Sequence, residues 1–135
     1  MRLKQTTDYA IRCVFYLSQK RSFEYATAEE VGMALNVSVP YMRKILMDLR
    51  NKGIVESFQG VKGGYQMKKN PKNISMFELV NAEEQTMKID GCFEAKQISS
   101  GTGCASLEQY FKKLQGMVEH YLKNTTVYDL IKEQS

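Results

Sequence analysis

A chain of 135 residues has room for one compact domain, or for one domain with a dimerisation appendage. Hydrophobic residues at 43% supply a core and charged residues at 25% keep its surface in water, while no run of 18 apolar residues is available to span a bilayer. The start MRLKQTTDYAIRC is too polar for a signal peptide, and three cysteines, an odd number, argue against a disulfide framework, so a cytoplasmic protein without a membrane role is expected.

The net charge of +4 is unevenly spread. Residues 1–69 hold 12 Lys/Arg against 6 Asp/Glu, and residues 70–135 hold 7 against 9. The first part is therefore the one expected to face phosphates.

Residues 7–20 predict an amphipathic helix, with Ala10, Val14 and Leu17 in one apolar row widened by Ile11 and Phe15. Thr6 or Thr7 is the expected cap, Asp8 suits the positive end of the helix dipole, and Cys13 reads as a buried small hydrophobe. Residues 21–26 read as a loop.

From Thr27 to Met67 the order is short helix, tight turn, second helix and hairpin, the grammar of a winged helix-turn-helix. Thr27 and Glu30 have the spacing of a capping box, and Val31, Ala34 and Leu35 share one face of the short helix. Asn36 suits a left-handed turn, Ser38 suits the next N-cap, and Pro40 fits a first turn. Met42, Ile45, Leu46 and Leu49 recur at i, i+3, i+4 and i+7 and so face inward, which leaves Tyr41, Arg43, Lys44 and Met47 on the other face. Gly53 is the expected helix stop. Alternation predicts strands over 54–57 and 65–68, joined by FQGVKGG. The glycines and one lysine invite a phosphate-loop reading, but no helix follows and the GK[ST] ending is absent, so a wing against a nucleic-acid backbone fits better.

Asn70-Pro71 marks a turn, and Ser75 with Glu78 repeats the capping-box spacing, opening a short helix to about residue 81 with Phe77 and Val80 inward. Residues 84–104 carry no period but hold Cys92 and Cys104, and a structureless stretch of that length is usually functional or disordered. Periodicity returns over 106–124, where Leu107, Phe111, Leu114, Val118 and Tyr121 are spaced 4, 3, 4, 3. That is the pattern of a dimer seam, and residues 126–132 suit one more terminal turn. His120, the single histidine, has no base or nucleophile partner in any motif, so no enzyme is expected. The expected architecture is mainly α with a small β-wing. It comprises a winged helix-turn-helix domain over 1–83, a cysteine-containing sensor loop over 84–104, and a long C-terminal dimerisation helix with its tail over 105–135.

TTDYAIRCVFYLS, the run TAEEVGMALNVSVPYMRKILMDLRNKGIVES, the GGY after the wing and the late cysteine pair together resemble the Rrf2 family of bacterial winged-helix regulators, the family of the IscR, NsrR and CymR types. The resemblance covers essentially the whole chain. It implies a homodimeric transcription regulator on double-stranded, pseudo-palindromic DNA, with Ser38, Tyr41, Arg43 and Lys44 on the reading helix. Many members carry an arginine near the wing start where this chain has Gln59, and Lys62 is then the expected phosphate contact. Cluster-binding members have three late cysteines; here the middle position is Ile98, which cannot ligate iron. Asp8 matches a position from which some members recruit a ligand across the dimer. Asp8, Cys92 and Cys104 thus form a set of three, where an iron–sulfur cluster normally takes four ligands, mostly thiolates. Three sensor readings stay open: an unusual iron–sulfur site, a thiol pair that reacts with oxidant, and no cysteine sensor at all. A protein-interaction adaptor built on the same fold is the alternative function, separable from DNA binding by its weaker salt dependence.

Overall fold

Leu17, Val14, Ala10 and Cys13 sit on one side of a 14-residue helix, α1 (Gln5–Ser18), and all four are buried. In this computed structural model residues 3–21, 24–84 and 105–134 are described, the side chains of 82–84 excepted. The helix starts two residues earlier than its apolar period suggests. Lys4 occupies the N-cap position without a side-chain cap, and Thr7, an expected cap, is instead a fully buried position on the core face.

The short helix α2 (Ala28–Leu35) opens on Thr27, whose hydroxyl accepts from the Glu30 amide at 3.1 Å. The reciprocal half of the expected box is not made. The Glu30 carboxylate turns to α1, accepting from the Tyr16 hydroxyl at 2.7 Å and pairing with the Lys20 ammonium at 2.7 Å. Those two donors, Lys20 first, hold the Glu30 carboxyl below its ordinary range. Val31 is buried and Leu35 half-buried as expected, whereas Ala34 is exposed and Ala28 and Gly32 take the remaining inward places.

Asn36 closes α2 in the left-handed conformation (φ 57°, ψ 48°). The turn is tight: the Val37 amide donates to the Gly32 carbonyl at 2.8 Å, and a Cβ on Gly32 would lie 2.8 Å from the Val37 carbonyl oxygen. Gly32→Ala gains helix propensity of about 1 kcal/mol. Overpacking costs about 1–3 kcal/mol when backbone has to move, so the clash outweighs the gain. The expected result is a lower melting temperature for Gly32→Ala; an unchanged or higher one would refute this account of the turn.

Helix α3 (Val39–Asn51) has Pro40 in its first turn, and Met42, Ile45, Leu46 and Leu49 are all buried. Burying each such side chain contributes about 1.5–3 kcal/mol, more than any exposed ion pair, so these four fix the orientation of α3. Gly53 follows with φ 77°. The wing is β1 (Val55–Phe58) against β2 (Gly64–Met67), antiparallel, with Val55 opposite Met67 and Phe58 opposite Gly64. Each strand lies one residue off its expected limits. Ile54 is retained by the helix end, its amide donating to Leu49 at 3.0 Å, while its carbonyl accepts from Lys68 at 3.0 Å. The wing base is tied down by Ala26, which exchanges both backbone bonds with Tyr65 at 2.8 and 2.9 Å. Gly64 (φ 151°) permits this approach, because a Cβ there would lie 2.7 Å from the Ala26 carbonyl oxygen.

A turn of 3-10 helix (Pro71–Asn73) leads to α4 (Met76–Glu84), which runs to residue 84 rather than 81. Ser75 caps it, accepting from the Glu78 amide at 3.0 Å, but the Glu78 carboxylate pairs with Lys69 instead of completing a box. Leu79 joins Val80 as the buried pair, while Phe77 is half-buried beneath the Lys123 ammonium, 4.6 Å from the ring centre. Helix α5 (Ala105–Lys123) buries no residue fully. The tail is a true helix, α6 (Val127–Glu133), opened by a complete capping box between Thr126 and Asp129. It returns to the core formed by the earlier helices: Val127 is buried in the same core as Val14 and Leu46, and its amide donates to Ile74 at 2.9 Å. Among the described residues no helix is long and apolar enough to cross a membrane.

Candidate nucleic-acid interface

The inward row of α3 decides what its outer face presents. With Met42, Ile45, Leu46 and Leu49 against the core, Arg43, Lys44 and Met47 stand exposed, as does Ser38 at the helix start. The Ser38 hydroxyl makes no capping bond to its own helix. Tyr41 is different: it is half-buried and packs edge-on against Tyr9 of α1, ring centres 5.8 Å apart. Part of its role is therefore to seat the start of α3 on α1.

Arg43 extends back to α2, where its Nη2 donates to Glu29 Oε1 at 2.5 Å. Glu29 lies in the first turn of α2, and its own backbone amide, foremost, lowers its pKa, with Arg43 adding to that. Lys44 has no ion-pair partner among the described residues. At the wing tip Gln59 and Lys62 are exposed, and Val61 between them is fully so, an apolar side chain that sequence reasoning passed over. A donor-rich helix face and a basic loop suit the acceptors of a major-groove edge and the phosphates beside it.

The expected seam on α5 is only partly the face left open. Leu107 and Tyr121 are 48% and 72% exposed, but Phe111, Leu114 and Val118 are half-buried within the single chain. Tyr110 and Met117, at 62% and 61%, complete an exposed row with Leu107 and Tyr121. Positions 107, 110, 114, 117 and 121 also follow a seam spacing, which the sequence could have shown had both registers been tried. The side of α5 carrying Phe111 and Val118 is the side half-buried within the single chain.

Of the three residues considered as metal ligands, Cys92 and Cys104 lie outside the described residues, as does Ile98. Asp8 is half-buried, and its carboxylate accepts from Arg12 Nε at 3.1 Å, one turn on. Among the described residues no group of three or more His, Cys, Asp or Glu could hold a metal ion. Asp8, Cys92 and Cys104 make a set of three, one short of the four ligands, mostly thiolates, that an iron–sulfur cluster normally takes. Cys13 cannot add to it: it is fully buried, and burial pushes its thiol pKa up to about 12. Wild type and Cys13→Ala are expected to give the same thiol count with a disulfide reagent in native buffer, and counts differing by one in denaturant. A difference in native buffer would put Cys13 within reach of oxidants.

A profile of the Rrf2 family, described as "Iron-dependent Transcriptional regulator", matches residues 3–133. Protein aau3 of Rhizobium meliloti (strain 1021) is 30% identical over 141 residues, covering 98% of this chain and 86% of that protein. The HTH-type transcriptional regulator IscR of Cereibacter sphaeroides is 27% identical over 120 residues, covering 87% of this chain and 77% of that one. In structure the chain resembles CymR (YrzC), the global cysteine regulator of B. subtilis, with a TM-score of 0.82 at 20% identity, over 100% of this chain and 99% of that one.

Proposed function

The chain belongs to the Rrf2 family of winged helix-turn-helix, DNA-binding transcription regulators, and on that premise we propose that it acts as a homodimer on a two-fold-symmetric operator. It is not an enzyme. Each protomer lays α3 in the major groove, where Ser38, Arg43 and Lys44 meet base edges and phosphates and Tyr41 seats the helix. Gln59 and Lys62 of the wing meet the adjacent backbone or minor groove. Binding chromosomal DNA places the protein in the cytoplasm.

The observation that carries the reading is the outer face of α3. Four buried apolar residues fix its direction, and the residues left exposed outside include the donors Ser38, Arg43 and Lys44 beside Met47. The partner is a second copy because α5 is long, buries none of its residues fully, and shows a row of Leu107, Tyr110, Met117 and Tyr121 that stays exposed in the single chain. Such a row meets itself across a two-fold axis, and a two-fold dimer reads two half-sites about one helical turn apart.

Selection from random duplexes is expected to return two inverted half-sites at that spacing, with affinity that falls steeply as salt rises. Enrichment of one unrepeated motif would overturn the two-fold reading. Binding that barely responds to salt would point to an adaptor rather than a DNA reader.

A further inference from the structure

We infer that Glu29 is a specificity-determining residue for DNA: its carboxylate holds the Arg43 guanidinium where it reads a base edge and keeps it from settling on a phosphate. The inference rests on the DNA-reading role of α3 given above.

Glu29 is an acid in the half of the chain where Lys and Arg outnumber Asp and Glu by 12 to 6. A start-of-helix position explains an acid there, but not its reach to a residue 14 positions on. The pair is exposed on both sides, at 58% for Glu29 and 57% for Arg43, so it adds little to fold stability. Its consequence lies at the surface. Arg43 spends one of five N–H donors on Glu29 and keeps four, in a planar fork that the bond biases toward one direction. That fork matches the two acceptors of guanine in the major groove. A free arginine at the same place reaches any phosphate nearby, and the negative charge of Glu29 works against that contact. Glu29 thus acts through Arg43, as a positioning residue.

The test measures wild type, Glu29→Gln, Glu29→Ala, Arg43→Ala and the Glu29→Ala/Arg43→Ala double variant. The probes are the operator returned by selection, its single-base variants, and an unrelated duplex. Both Glu29 variants are expected to bind the unrelated duplex more tightly, with a salt slope steeper by about one per protomer. Their preference for the correct base is expected to fall by about tenfold at the one position that Arg43→Ala also relaxes. In the Arg43→Ala background, Glu29→Ala should change that preference no further. Unchanged base preferences in both Glu29 variants overturn the inference. So does a Glu29 effect that persists without Arg43, which would make Glu29 itself the reader. Glu29→Gln keeps the side-chain shape and carries the test if the alanine variant melts early. A wild type that enriches no sequence at all fails at the earlier step, the reading of DNA by α3.

Discussion

Tyr110→Asp together with Met117→Asp is expected to convert the dimer to monomers and to weaken operator binding by about 10²–10⁴-fold, the factor that tethering two binding modules contributes. Both side chains are exposed by more than half in the single chain, so aspartate there meets water as long as the protomer stands alone. In a dimer the same carboxylates would be buried opposite their two-fold copies, and a buried like-charge pair cannot both stay ionised without large cost. The effect therefore falls on association and spares the protomer. Light scattering reads the mass, and circular dichroism reads the helix content, which should be unchanged. Val118→Asp makes the contrast. Val118 is half-buried within its own protomer, so that variant should lower the melting temperature as well. A persistent dimer for the Tyr110/Met117 variant would remove this face from the interface.

The same helix shows what periodicity conveys and what it does not. Apolar residues at 107, 110, 111, 114, 117, 118 and 121 cover a broad arc, from which two seams can be drawn. Spacing alone cannot tell which edge of the arc the protomer covers for itself; that depends on where α4 lies, and Phe77 beneath Lys123 marks the contact. In α3 the arc is narrow and one assignment fits, so the inward row of Met42, Ile45, Leu46 and Leu49, and with it the outward row, was legible. Caps behaved in a similar way. Thr27 and Ser75 accept the expected amide bonds because those bonds are local. Their partner carboxylates, Glu30 and Glu78, found lysines from elsewhere in the fold, and a charged donor outcompetes a backbone amide. Glu29 escaped notice for the same reason: its partner is brought near only by the turn at Asn36.

Arg43→Ala with Lys44→Ala is expected to abolish sequence-specific retardation while leaving the dimer intact. Alanine is the best helix former, both positions face solvent, and the four buried residues that orient α3 are untouched, so the fold should hold. Glu29 loses its partner, but at 58% exposure water replaces the arginine at little cost. The loss falls on DNA. A bidentate arginine contributes about 1–3 kcal/mol of discrimination at its base, and two protomers double it to about 2–6 kcal/mol for the operator. Lys44 adds phosphate attraction without regard to sequence, so its removal flattens the salt slope by about one per protomer. The arginine loss brings operator affinity down toward that for unrelated DNA, and the lysine loss weakens both. Lys62→Ala on the wing separates the two terms: it should weaken operator and unrelated duplex alike and leave the ratio between them unchanged. If the Arg43/Lys44 variant still shifted the operator in preference to other duplexes, the reading surface would have to lie elsewhere than on the outer face of α3.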